Sequence, residues 1–135
     1  MLSPPSVVCA MSGKLRCVLD TNAVVSLLNG NRELATRLEA AAYVGISVIT
    51  YLEFLAFDGL TDNDRNSFKL FCARVEIVPL VHDDELSDKA LMLRTRHRLK
   101  LPDAIIGATA ICRNALVITN DSHFSGISSL IIQGC

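Results

Sequence analysis

No apolar stretch in this chain of 135 residues reaches the ~20 residues that a helix needs to span a bilayer. Residues Met1 to Ala10 have no positively charged start and carry the pair Pro4-Pro5, so they do not read as a secretion signal. None of the five cysteines (Cys9, Cys17, Cys72, Cys112 and Cys135) stands in C-x-x-C spacing with another, which removes zinc-ribbon and disulfide-framework readings. Cys17, Cys72 and Cys112 fall inside apolar patterns and read as core thiols, as suits a reducing cytoplasm. A Gly-rich phosphate loop is missing, so nucleoside triphosphate binding is not indicated. His82, His97 and His123 form no motif with one another or with a nucleophile, which counts against histidine-based ribonuclease chemistry. The formal net charge is only −1, so any attraction for nucleic acid must come from a local basic patch.

Half of the residues are hydrophobic and a fifth are charged, with no tryptophan. That balance gives one compact domain rather than a disordered chain. We place the domain at residues 15–135, after a loose leader over 1–14 in which Met11 is an alternative start. The run Leu15 to Leu19 reads as a buried strand that stops on Asp20-Thr21-Asn22 and feeds a helix from Ala23. A helix follows over Arg32 to Tyr43, then a strand over Ile46 to Ile49 and a helix opened by Thr50. Another helix is capped by Thr61-Asp62-Asn63-Asp64, and a strand covers Val75 to Val78. A long helix runs from Asp83 to near Arg98, acidic at its start and basic at its end, as the helix dipole favours. Pro102 opens the next helix, which leads to a strand over Leu116 to Thr119. The fifth strand is expected over Ser129 to Ile132. Such alternation predicts an α/β fold, a mostly parallel sheet covered by helices on both faces.

Four acids then stand next to strand ends or at starts of helices. Asp20 ends the first strand, Glu53 lies in the first turn after the second, Asp103 opens the helix before the fourth, and Asp121 follows the fourth. A crossover helix runs antiparallel to its strands, so its N-terminus lies at their carboxyl edge, where open α/β sheets bind ligands. Four carboxylates at one edge would repel one another unless a hard divalent cation joined them, and oxygen donors suit Mg2+ or Mn2+. That combination points to metal-dependent phosphoryl chemistry. Each acid also has a plainer role. Asp20 can cap a helix, Thr50 to Glu53 matches a capping box, Asp103 can serve a helix dipole and Asp121 can serve a turn. None of those roles requires the four to share an edge.

The series Val18-Leu19-Asp20-Thr21-Asn22, Ile49-Thr50-Tyr51-Leu52-Glu53, Leu101-Pro102-Asp103-Ala104 to Ala110 and Leu116-Val117-Ile118-Thr119-Asn120-Asp121-Ser122-His123-Phe124 resembles the PIN-domain ribonucleases. It is most similar to toxins of VapBC-type toxin–antitoxin pairs. The resemblance implies a five-stranded parallel sheet and a Mg2+- or Mn2+-dependent endoribonuclease. It also implies Asp20, Glu53, Asp103 and Asp121 as catalytic metal ligands, with Asn22 and Thr119 as supporting residues. A homodimer and a cognate antitoxin that covers an apolar groove and the acidic cleft are implied as partners. A PIN nuclease of RNA processing without an antitoxin, and a non-catalytic PIN-like binding module, remain open alternatives. A phosphatase with an aspartate nucleophile is weaker, because it wants a second Asp where Asn22 stands.

The densest basic run, Arg94-Thr95-Arg96-His97-Arg98-Leu99-Lys100, immediately precedes Asp103. Arg94, Arg96, Arg98 and Lys100 are therefore candidates to hold RNA phosphates at the rim of the acidic edge, or else form a solvated helix end. Tyr51, Phe54 and Phe57, at helical spacing, read as core or interface packing rather than as base-stacking groups.

Overall fold

The structure, a computed structural model, describes residues 14–82 and 84–127 and the backbone of 132–133. The expected leader therefore lies, apart from Lys14, outside the described residues, as do Asp83, Cys9 and Cys135. The elements are β1 (Arg16–Leu19), α1 (Thr21–Leu28), α2 (Arg32–Glu39), β2 (Tyr43–Ser47), α3 (Val48–Leu55), α4 (Asp62–Cys72), β3 (Glu76–Val78), α5 (Asp84–His97), α6 (Leu101–Cys112), β4 (Leu116–Ile118) and β5 (Ile132–Gln133). A 3-10 turn, Ser122–Phe124, follows β4.

The strands pair in parallel in the order β3-β2-β1-β4-β5. Four of them make up the body of the sheet. The fifth is described over two residues beside β4, the first of them the last residue of the expected 129–132 stretch, whose first three residues lie outside the described ones. Among the described residues the expected five-stranded parallel sheet therefore consists of four strands and this short edge pairing.

Alternation along β1 splits the core. Val18 packs on one face with Leu93, Ile106, Val117 and Phe124. Cys17 and Leu19 pack on the other with Val24, Leu34, Ile46, Phe54 and Phe68. Side chains two apart share a face of a strand, so helices are needed on both sides, and the three-layer α/β/α arrangement follows. Burial pushes the Cys17 thiol up to about 12, which makes it a packing group rather than a nucleophile.

Two boundaries differ from those the sequence predicts. Tyr43 begins β2 instead of ending α2, and β2 stops at Ser47. The Ser47 hydroxyl accepts from the Ile49 N–H at 3.0 Å and caps α3, leaving Thr50 buried inside the helix. The apolar residues Val48 and Ile49 suit a buried strand and a buried helix start equally, and the nearby hydroxyl decides between them. Glu53 is consequently in the second turn of α3 and takes no part in a capping box.

Candidate active site

Strand order reverses at β1: the chain moves out to β2 and β3 on one side, then returns to β4 on the other. The carboxyl ends of β1 and β4 flank this switch point, the usual binding crevice of an open α/β sheet. Asp20 follows β1 and its backbone N–H donates to the Ile118 carbonyl at the end of β4. The acid is 5% exposed. Its Oδ1 accepts from the Ala23 N–H at 2.8 Å, capping α1, and its Oδ2 accepts from the Thr119 hydroxyl. Thr119 Oγ1 in turn accepts from the Asp121 N–H at 2.9 Å. Capping and a place in the cleft are therefore both true of Asp20.

Asp20, Glu53, Asp103 and Asp121 line one open cleft of about 440 Å³, with Thr21, Asn22, Ala56, Phe57 and Ile106. Asp103 comes from the first turn of α6, whose N-terminus points to this edge. Glu53 reaches it from α3, and its Oε1 accepts from the Thr21 hydroxyl at 2.6 Å. Asp121 Oδ1 accepts from the His123 N–H at 2.8 Å, and the His123 Nδ1 lies 2.8 Å from the same oxygen.

Electrostatics show the strain of this grouping. Burial holds the Asp20 carboxyl above its ordinary value, and Asp121 and Glu53 add to that while the bonds from Thr119 and Ala23 oppose it. Asp103 is likewise raised, first by burial and then by Asp121, Glu53 and Asp20, with His123 acting against them. The donor set suits a hard cation: carboxylate oxygens predominate, and Asp103, Asp121 and His123 offer ligand atoms within 4.8 Å of one another.

The model of the PIN domain family matches residues 17–130. This chain belongs to the PIN domain family. Its fold is similar to a chain of a toxin–antitoxin complex from Klebsiella pneumoniae, at 29% identity and TM-score 0.71, covering 85% of this chain and 95% of that one. VapBC2 from Rickettsia felis bound to a promoter DNA fragment is similar at 23% identity and TM-score 0.77, covering 90% and 99%. VapBC-5 from Mycobacterium tuberculosis is similar at 25% identity and TM-score 0.62, covering 89% and 98%. No curated protein sequence matches.

The PIN domain brings all four sequence-predicted acids to one cleft. Asn22 lines the same wall, although the bonds that hold Asp20 come from Ala23 and Thr119. Two polar contributors escaped the sequence reading. Thr21 is one, and its signal was only that a hydroxyl neighbours Asp20. His123 is the other: it touches Asp121 because the 3-10 turn folds the chain back, a local event that spacing alone does not show.

The basic run divides. Arg94 donates to the Leu99 carbonyl at 2.8 Å and helps close the α5–α6 loop. Arg98 takes a left-handed φ of 58° as the first residue after α5. Arg96, Arg98 and Lys100 are exposed, and Lys100 directly precedes α6. Since α6 begins at the acidic edge, this loop sits at the same end of the domain as Asp103.

Proposed function

We propose that the chain is a metal-dependent endoribonuclease and the toxin of a VapBC-type toxin–antitoxin pair, with Asp20, Glu53, Asp103 and Asp121 as catalytic metal ligands. The observation that carries this reading is the convergence of those four carboxylates, from four separate parts of the chain, on one open cleft. A bound Mg2+ or Mn2+ would neutralise phosphodiester charge and make a water molecule more acidic.

The chain's own residues prepare the cleft. Ala23 and Thr119 fix the Asp20 carboxylate, and Thr21 fixes Glu53. His123 orients Asp121. Asn22 stands on the wall as a supporting polar group. Arg96, Arg98 and Lys100 supply positive charge near the start of α6, where RNA phosphates on either side of the cut would pass.

An antitoxin partner is supported by the fold shared with toxin–antitoxin complexes. It is supported too by a second, apolar cavity of about 390 Å³ lined by Leu27, Leu28, Leu38, Leu70 and Phe71, beside which Leu70 is 71% exposed. A homodimer and a cytoplasmic site of action complete the reading. Among the described residues no helix is long and apolar enough to cross a membrane.

The test is cleavage of a mixed structured RNA with Mg2+ or Mn2+, against EDTA and Asp20→Asn controls. We expect cuts that need the metal and vanish in the variant. Cutting that persists in EDTA, or in Asp20→Asn, would remove the reading.

A further inference from the structure

Of the three aromatic residues at the end of α3, two are used in packing. Phe54 is buried and stacks on Phe68, with ring centroids 4.1 Å apart. Tyr51 packs on Phe68 as well, at 5.6 Å. Phe57 is different. It lies beyond the helix end, is 43% exposed, and is held from behind by Phe54 at 6.0 Å. It also lines two depressions at once: the acidic cleft, and an adjoining cavity of about 190 Å³.

That adjoining cavity has a distinct chemistry. Val25, Leu28, Phe54 and Phe57 give it apolar walls, while Asn29, Asn63 and Asp64 supply amide and carboxylate groups. Among the described residues no cation lines it, so a phosphate would be poorly held there. Its volume is well below the ~300 Å³ at which pockets for drug-sized ligands begin, which limits the occupant to one small group such as a single base. An aromatic wall with hydrogen-bonding groups beyond it is how proteins hold a single unstacked base.

We propose that this cavity seats one nucleobase of the RNA strand, next to the scissile phosphodiester, with Phe57 as its stacking platform and Asn29 and Asn63 facing the base edge. The proposal rests on the endoribonuclease reading, since it needs the phosphate to lie over the acids while the base turns aside. It assigns part of the cleavage-site preference to the α3–α4 connection and the end of α1, rather than to the acids.

The experiment uses single-stranded RNA carrying 2-aminopurine, bound to the full chain in an Asp20→Asn background so that it is not cut. A base that leaves the strand's own stack for the cavity should brighten the fluorophore. Phe57→Ala should weaken RNA affinity about tenfold, the scale of one base–aromatic stack, and abolish the brightening. Phe57→Trp should keep both. Phe57→Leu, which preserves packing against Phe54, should behave as Phe57→Ala. Mn2+ affinity, read separately with Asp20 intact, should stay unchanged in all three. If the wild type cuts RNA but Phe57→Leu and Phe57→Ala bind and brighten as before, the base site is wrong and the nuclease reading survives. If the wild type neither binds nor cuts RNA, both fall together.

Discussion

One hydroxyl joins the ends of the two central strands: Thr119, after β4, donates to the carboxylate of Asp20, after β1, and accepts from the Asp121 N–H. Thr119 is 2% exposed and Asp20 5%, so neither partner can turn to water instead. Replacing the hydroxyl by a methyl group in Thr119→Val leaves an acceptor and a donor unmatched. We expect a loss of about 1–3 kcal/mol, read from urea unfolding, together with weaker Mn2+ binding. Thr119→Ser should retain most of both.

Thr21 holds Glu53 from outside the acid set. Thr21→Val should lower metal affinity by about tenfold, as removal of an orienting partner does, and leave unfolding nearly unchanged. Titration calorimetry with Mn2+ checks this. An equal loss in a Glu53→Gln background would show that Thr21 does not act through Glu53.

The raised Asp20 and Asp103 carboxyls give the metal-free protein a particular pH dependence. A carboxyl whose folded value is raised binds more protons in the folded state, so stability falls as pH climbs from the ordinary 3.8 through the raised value. Melting temperature without metal should therefore carry a gain that appears as pH falls through the raised values toward 3.8. Asp103→Asn, which removes one repelling charge, should raise the melting temperature at neutral pH and flatten that slope. Mg2+ should stabilise the wild type more than the variant.

At the opposite edge of the sheet, Glu76 accepts from Arg113 Nε at 2.9 Å and from the Tyr43 hydroxyl. Hydrogen bonds from Arg113 and then Tyr43 hold the Glu76 carboxyl low. Its contribution is full above the ordinary 4.5 and is lost as pH falls through the lowered folded value. Tyr43 lies across Gly45, where a Cβ would overlap its hydroxyl and stand 2.9 Å from its Cζ. Gly45→Ala should cost about 1–3 kcal/mol by overpacking, and distinctly less in a Tyr43→Ala background. Additive costs in that cycle would exclude the overlap as the cause.

For the basic loop, Arg94 and its neighbours should separate. Arg94→Ala removes the bond to the Leu99 carbonyl and should destabilise the fold by roughly 1 kcal/mol. Arg96→Ala and Lys100→Ala should leave stability alone and flatten the salt dependence of RNA binding, by about 0.7 in the log–log slope for each phosphate no longer neutralised. An unchanged slope would take this loop out of RNA recognition.

The sequence by itself determined the α/β class, because apolar runs that alternate with helical periods must be covered on both faces. It also determined which four acids meet, since every crossover helix returns its N-terminus to the carboxyl edge. Local competition lay beyond it. Whether Val48 and Ile49 close a strand or open a helix depended on Ser47 reaching the Ile49 N–H, and the apolar pattern is the same in both cases. Pairings between distant segments also waited for the tertiary structure. Thr21 meets Glu53 across 32 positions and Thr119 meets Asp20 across 99, distances over which a short-range pattern carries no signal. Phe57 shows the same division. Its spacing from Tyr51 and Phe54 reads as packing, but α3 ends at Leu55, and the chain beyond it turns that ring out of the core and onto the rim of the cleft.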